Sequence, residues 1–243
     1  MTTNANDGSD ERDARGDRDD TDARDDTIEQ RRQVREGYDE LATAYADERD
    51  QDPDELALVE ELFDRIDEQA PRVLDAGCGD GRAASRPLAE LGAGVVGLDV
   101  SRSQLELASE TFDEVGAERA DGNVPERVQG DLTGLPFETD SFDGICALHS
   151  IIHVPTGEHE AVLAEFARVL DAGGWLLLTT GTGAWEGENP DWLDGGAAMR
   201  WSFHDAAWTR ETLEAVGFTV ADARTIGDEL GGGEWRYLLA RRE

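Results

Sequence analysis

The 243-residue chain contains no lysine; its 22 basic residues are all arginine. Against them stand 56 acidic residues, for a formal net charge of −34. Such a deficit of positive charge argues against binding nucleic-acid phosphates at ordinary salt. It fits adaptation to high salt, where dense carboxylates keep a protein hydrated while their repulsion is screened. A surface for cationic partners is the alternative. Cysteine is scarce too. Cys78 and Cys146 lie far apart in apolar or Gly-rich segments. No disulfide framework is expected, and a reduced cytoplasm fits. No apolar run approaches the length of a bilayer span, so no membrane insertion is expected. The opening "MTTNANDGSDERDARGDRDD" lacks the apolar core of a secretory signal.

The charge yields a first expected result. If the acidic surface is a salt adaptation, the melting temperature should climb steeply between low and molar KCl. A flat profile would favour the cationic-partner reading.

Residues 1–26 hold Asp, Arg, Thr and Gly and almost nothing apolar. Such a segment cannot offset its ordering entropy, so a disordered tail is expected. "TIEQ" then reads as a capping box, with Thr27 at the N-cap and Gln30 three residues on. A helix to about Glu48 carries Tyr38, Leu41 and Tyr45 at spacings of three and four. A second helix is expected over Pro53 to Glu68. Beyond it, strand and helix patterns alternate. "RVLDA" (72–76), "GVVGLDV" (94–100), "RVQGD" (127–131), "FDGICAL" (142–148) and "WLLLTT" (175–180) read as strands. Leu105, Ala108, Phe112 and Val115 share one helix face; Val162, Phe166, Val169 and Leu170 share another. The alternation implies an α/β fold, a parallel sheet with helices on both faces. "FTVADARTI" and "EWRYLLARR", joined through Gly231 to Gly233, read as a C-terminal antiparallel hairpin.

The first strand runs into "VLDAGCGDG" (73–81). Ligands of open parallel sheets bind beyond the C-terminal strand ends. Gly77 and Gly79 let the backbone turn sharply and approach a ligand closely. The dinucleotide fingerprint G-x-G-x-x-G needs a small sixth residue. Counted from Gly77 that residue is Arg82, so a pyrophosphate loop is disfavoured.

"VLDAGCGDG" resembles the first motif of the class I S-adenosylmethionine-dependent methyltransferases. "GLDVS" (97–101), "GDLTGLPF" (130–137), "FDGICALHSIIHVP" (142–155) and "ARVLDAGGWLLLTT" (167–180) resemble the later motifs in order. The resemblance covers roughly residues 34 to 243. It implies a Rossmann-like, seven-stranded, mostly parallel sheet and S-adenosylmethionine as cofactor. It places Asp75, Gly77, Cys78 and Gly79 in the cofactor loop, with an inert Cys78 thiol. It gives Asp99, with Val100 beside it, the ribose hydroxyls; one carboxylate can accept two hydrogen bonds from a cis-diol. Asp131 would meet the adenine amino group, Leu132 the ring edge, and Leu148 the cofactor from the fourth strand. Tyr38 and Tyr45 resemble aromatics that the family's N-terminal helix folds over the cofactor. Two departures stand out. Pro87 falls in the expected first crossover helix, implying a late start or a kink. "DAGG" replaces the usual Pro-Gly-Gly turn.

The methyl acceptor is less legible. Displacement from a sulfonium has a good neutral leaving group, so no metal is expected; alignment and water exclusion dominate. His153 and His149 are candidate bases after the fourth strand; packing near the cofactor and hydrogen bonding to a helix start are their alternatives. "GTGAWEGENPDWLDGGAAMRWSFHD" (181–205) is long for a loop and holds Trp185, Trp192 and Trp201. It reads as a cap over an acceptor pocket faced by Trp201, Ser202, His204 and Tyr38, within a methyltransferase domain of residues 27–243. Asp205 would N-cap the helix ending at Gly217. The (Asp/Asn)-Pro-Pro-aromatic motif of nucleic-acid amine methyltransferases is replaced by "LHSIIHV". A small-molecule acceptor is therefore expected. A quinone-type C-methyltransferase and a cofactor-binding protein without transfer activity are the alternatives. The sequence does not define an oligomeric state.

Overall fold

A computed structural model describes residues 10–49, 52–119, 123–227 and 233–243. Helices α1 (Asp10–Glu48) and α2 (Pro53–Arg65) precede strand β1 (Arg72–Ala76). Then come α3 (Ser85–Leu91), β2 (Gly94–Asp99), α4 (Arg102–Glu118), β3 (Glu126–Gln129) and β4 (Phe142–Ala147). The second half holds α5 (His159–Val169), β5 (Leu170–Gly181), β6 (Trp185–Asn189), β7 (Met199–Phe203), α6 (Ala206–Ala215), β8 (Phe218–Gly227) and β9 (Glu234–Arg242).

Seven strands form one sheet in the order β3-β2-β1-β4-β5-β9-β8. The first five strands run parallel, and β9 lies antiparallel between β5 and β8. This is the seven-stranded, mostly parallel sheet with a terminal hairpin that the strand pattern and the resemblance imply. Gly231 and Gly232 of its turn lie outside the described residues.

Alternate side chains of each strand serve opposite faces of the sheet. Val73, Val95, Cys146, Leu177 and Leu239 join Leu58, Val59 and Leu62 of α2 and Leu88 of α3 in one core. Leu74, Val96, Ile145, Leu176 and Leu238 join Phe166 of α5 and Leu213 of α6 in the other. Helices cover both faces, so inner strands such as "VVGL" are apolar throughout rather than alternating.

The chain leaves β1 toward β2 on one side and later returns to β4 on the other. That reversal opens a crevice at the C-terminal ends of β1 and β4. Local chemistry fixes the helices around it. Asp52, Ser101 and Asp205 cap α2, α4 and α6, accepting from the backbone N–H groups of Asp54, Gln104 and Trp208. The α3 helix starts late, so Pro87 falls in its first turn, where a missing N–H costs nothing.

Three expectations change. First, α1 does not begin at Thr27; its helical backbone is continuous from Asp10, while residues 1–9 lie outside the described residues. No proline interrupts 10–48, and extending a formed helix fixes one residue per bond gained. Second, α2 ends at Arg65 rather than Glu68. Third, the segment 181–205 contains a second, two-stranded antiparallel sheet of β6 and β7, with a short helical turn at Trp192–Asp194 between them. No helix among the described residues is long and apolar enough to cross a membrane.

Candidate active site

The loop after β1 is held in a shape that side chains would disrupt. Gly77 has φ +86°, and a Cβ there would lie 2.3 Å from the Ser150 Cβ. Gly81 has φ +80°, and its Cβ would lie 2.5 Å from the Phe112 ring. Both positions therefore require glycine. The N–H groups of Gly77 and Cys78 donate to the Leu98 carbonyl at 2.7 and 3.0 Å, fastening the loop to the end of β2.

Two buried carboxylates sit beneath it. Asp75 accepts from the Ser85 hydroxyl at 2.6 Å, yet burial pushes its pKa up to about 7. Asp99 accepts from the backbone N–H groups of Gly79 (2.9 Å) and Ser101 (2.8 Å). Burial outweighs those bonds and raises Asp99 to about 6. Burial also raises the Cys78 thiol, which therefore stays protonated.

A cleft runs across these residues. Asp75, Gly77, Cys78, Gly79, Asp99, Val100, Asp131, Leu132 and Leu148 all line it, with Tyr38 and Tyr45 facing them from α1. Asp131 accepts from the Thr133 N–H (2.9 Å) and hydroxyl (2.7 Å), and pairs with Arg31 of α1. Burial opposes its charge, but Thr133 and Arg31 hold its pKa below the ordinary value. Gln104 also lines the cleft. It is 1% exposed, and neither its amide nitrogen nor its amide oxygen has a partner. Nothing in its sequence context singles it out, and Arg31 is equally silent.

A second chamber adjoins the cleft. Tyr38, Tyr45, Arg49, His149 and His153 line both spaces and form their common wall. His153 is buried. Its Nδ1 donates to the Arg200 carbonyl at 2.9 Å, since a carbonyl can only accept. Its Nε2 therefore carries the lone pair, and the Tyr38 hydroxyl donates to it at 2.8 Å. Burial lowers His153 to about 4, so the ring is neutral at pH 7.

His149 has a left-handed backbone, φ +50°, uncommon without glycine. Its Nε2 meets the buried carboxylate of Glu55. Glu55 also accepts from Arg49, at 2.9 and 3.1 Å, and from the Tyr237 hydroxyl. Burial works against the Glu55 charge, but His149, Arg49 and Tyr237 overcome it and bring the pKa down to about 2. Sequence reasoning missed Glu55 and Tyr237 entirely.

On the cap, strand geometry corrects two expectations. Trp201 and Phe203 line the second chamber, whereas Ser202 and His204 do not. Successive side chains of β7 point to opposite sides. The Ser202 hydroxyl donates to the Val154 carbonyl at 2.8 Å and accepts from Gln30. His204 donates to the Thr156 carbonyl at 3.1 Å and stacks on Trp208. The alternation Trp201-x-Phe203 was the available signal.

Similarity to known proteins agrees with this arrangement. Residues 73–174 match the family model described as a methyltransferase domain. The chain is 41% identical over 125 residues to methyltransferase GfsG of Streptomyces halstedii, covering 50% of this chain and 42% of that protein. It is 37% identical over 137 residues to the 27-O-demethylrifamycin SV methyltransferase of Amycolatopsis mediterranei, covering 51% and 47%. The chain thus matches less than half the length of these curated relatives. Among solved structures, magnesium protoporphyrin IX methyltransferase from Synechocystis PCC 6803, with bound S-adenosylhomocysteine, superposes with a TM-score of 0.67. That match has 25% identity and covers 89% of this chain and 99% of that one. Over residues 73–174 the chain is thus similar to methyltransferase domains, and its seven-stranded sheet has the fold of the Synechocystis enzyme.

Proposed function

We propose that the chain binds S-adenosylmethionine in the cleft and transfers its methyl group to a small molecule held in the second chamber. The observation that carries this reading is the shared wall: a cleft at the switch point of the sheet opens onto an aromatic chamber through Tyr38, Tyr45, Arg49, His149 and His153. The cleft fits the cofactor. It offers a carboxylate at Asp99, an apolar edge at Leu132, and an unpartnered amide at Gln104 for a ligand's polar groups.

When bound, S-adenosylmethionine supplies an electrophilic methyl carbon whose leaving sulfur becomes a neutral thioether. Asp99 retains acceptor capacity beyond Gly79 and Ser101 and would hold the two ribose hydroxyls. Asp131 would accept from the adenine amino group. Residues 181–205 cap the acceptor and exclude water. The acceptor would supply the lone pair for the new bond to that carbon, and the sulfur would keep the electron pair of the bond that breaks. The acceptor proton passes to the Tyr38 oxygen as the Tyr38 proton passes to His153 Nε2. His149, anchored by Glu55, shapes the common wall. Two free cysteines favour a reducing cytoplasm as the setting.

Calorimetry in molar KCl tests the reading. S-adenosylmethionine and S-adenosylhomocysteine are expected to bind with one-to-one stoichiometry, and NAD is expected not to. NAD binding in preference to both would overturn it.

A further inference from the structure

Four of the chain's six tryptophans, Trp185, Trp192, Trp201 and Trp235, line the second chamber. Phe203, Tyr38 and Tyr45 complete the aromatic set. The two cores are built mainly from Leu, Val and Ile, and Trp201, Phe203 and Trp235 also pack against the core that holds Phe166. Among the described residues the aliphatic side chains lining the chamber itself are Ile152 and Ala184. An aliphatic ligand would be served as well by leucine, so a wall made of rings points to a ligand with π faces of its own.

The rings are also braced. Tyr38 meets Trp192 edge-on at 5.9 Å and 84°, and Trp192 meets Trp201 at 5.4 Å and 88°. Edge-to-face packing fixes ring orientation before a ligand arrives, which cuts the entropy of binding. Trp185 packs on Phe203 at 5.9 Å, yet remains 50% exposed. A large ring left that open at a chamber mouth is available to a ligand.

We infer that the acceptor is a planar, conjugated molecule that enters between these rings and presents its nucleophilic atom to the wall shared with the cleft. This rests on the proposed methyl transfer, which makes the chamber the acceptor site. A small organic cation is the competing occupant, because ring faces also attract positive charge. Glu188 and Glu234 line the chamber, but acids are spread along the whole chain and carry no signal here.

The test uses three probes on the full chain in molar KCl: 2-naphthol, its saturated counterpart 2-decalol, and tetramethylammonium. Binding is read by calorimetry with and without S-adenosylhomocysteine. We expect 2-naphthol to bind about tenfold or more tighter than 2-decalol. Trp201→Leu should remove most of that preference while S-adenosylhomocysteine affinity is kept. Trp185→Leu, at an exposed ring, should lower it by about threefold without risk to folding. Equal or reversed preference in the wild-type chain, or tighter binding of tetramethylammonium than of 2-naphthol, would overturn the inference. Failure of S-adenosylhomocysteine to bind would instead strike the cofactor reading. The preference for 2-naphthol is measured separately, so the two failures are distinguishable.

Discussion

Asp99→Ala is expected to weaken S-adenosylhomocysteine binding by about 2–4 kcal/mol, roughly 30- to 1,000-fold, with the fold intact. Two charge-assisted hydrogen bonds to the ribose would be lost, and water entering the space would recover part of them. The pH dependence makes the test specific. Burial raises Asp99 to about 6 in the free protein. Only the ionised form accepts from both hydroxyls. Affinity should therefore be level above about pH 7 and fall by up to about tenfold per unit below pH 6. Asp99→Asn should abolish that slope. Stability runs the other way. The folded carboxyl keeps its proton up to about pH 6, while an unfolded Asp loses it near about 4. Its contribution to stability is complete below the lower value and lost as pH rises through the higher one. Unchanged affinity in a folded Asp99→Ala variant would remove this residue from the site.

The second large effect concerns the proton. His153→Ala should lower kcat by about 10²–10⁴ while S-adenosylhomocysteine affinity stays within about twofold. Tyr38→Phe should produce a comparable loss, because the Tyr38 hydroxyl donates to His153 Nε2 and the two residues share the chamber wall. The double variant should lose little more than either single one, as expected for groups acting in series. A histidine of ordinary pKa would give a rate falling below about pH 6.5. Burial lowers His153 to about 4, so its neutral, proton-accepting form persists through neutral pH. The rate should stay level there and fall only as pH approaches 4. Wild-type kcat and pH profile in His153→Ala would leave this ring a purely structural role, tying α1 to the Arg200 carbonyl.

The sheet was legible because its strands announce themselves locally. "VLDA" and "VVGLD" are short apolar runs that stop at an acid, and covered parallel strands have that composition. Asp75 and Asp99 could be named for the same reason, since their positions follow from the strand ends. The Glu55 cluster had no such marker. Glu55 lies 94 positions from His149 and 182 from Tyr237, and in a chain of 56 acidic residues one more glutamate draws no notice. Arg31 meets Asp131 across 100 positions. Only the folded topology brings such pairs together. Ser202 and His204 failed differently. The segment 181–205 reads as loop because of its glycines and acids, and a loop has no period. Once β7 is seen as a strand, its period of two assigns each side chain to a side. The start of α1 misled because "TIEQ" has the form of a capping box, yet the helical backbone runs on upstream to Asp10, and extending a nucleated helix needs no cap there.

Helix α1 supplies Tyr38 and Tyr45 to both chambers and Arg31 to the cleft alone, and Arg49, just past its end, also lines both. A ligand in either space touches these same side chains, so any displacement the first ligand makes in them is met by the second. Coupling between the two bindings would follow, and reciprocity would make the factor the same in either order. Under the proposed transfer, departure of the methylated acceptor would remove that support from the spent cofactor and shorten its residence time. The pairing of Arg31 with Asp131 is about one-third exposed on each side, so salt screens it. Turnover in concentrated salt would then be quicker at the release step than the same helix permits in dilute buffer.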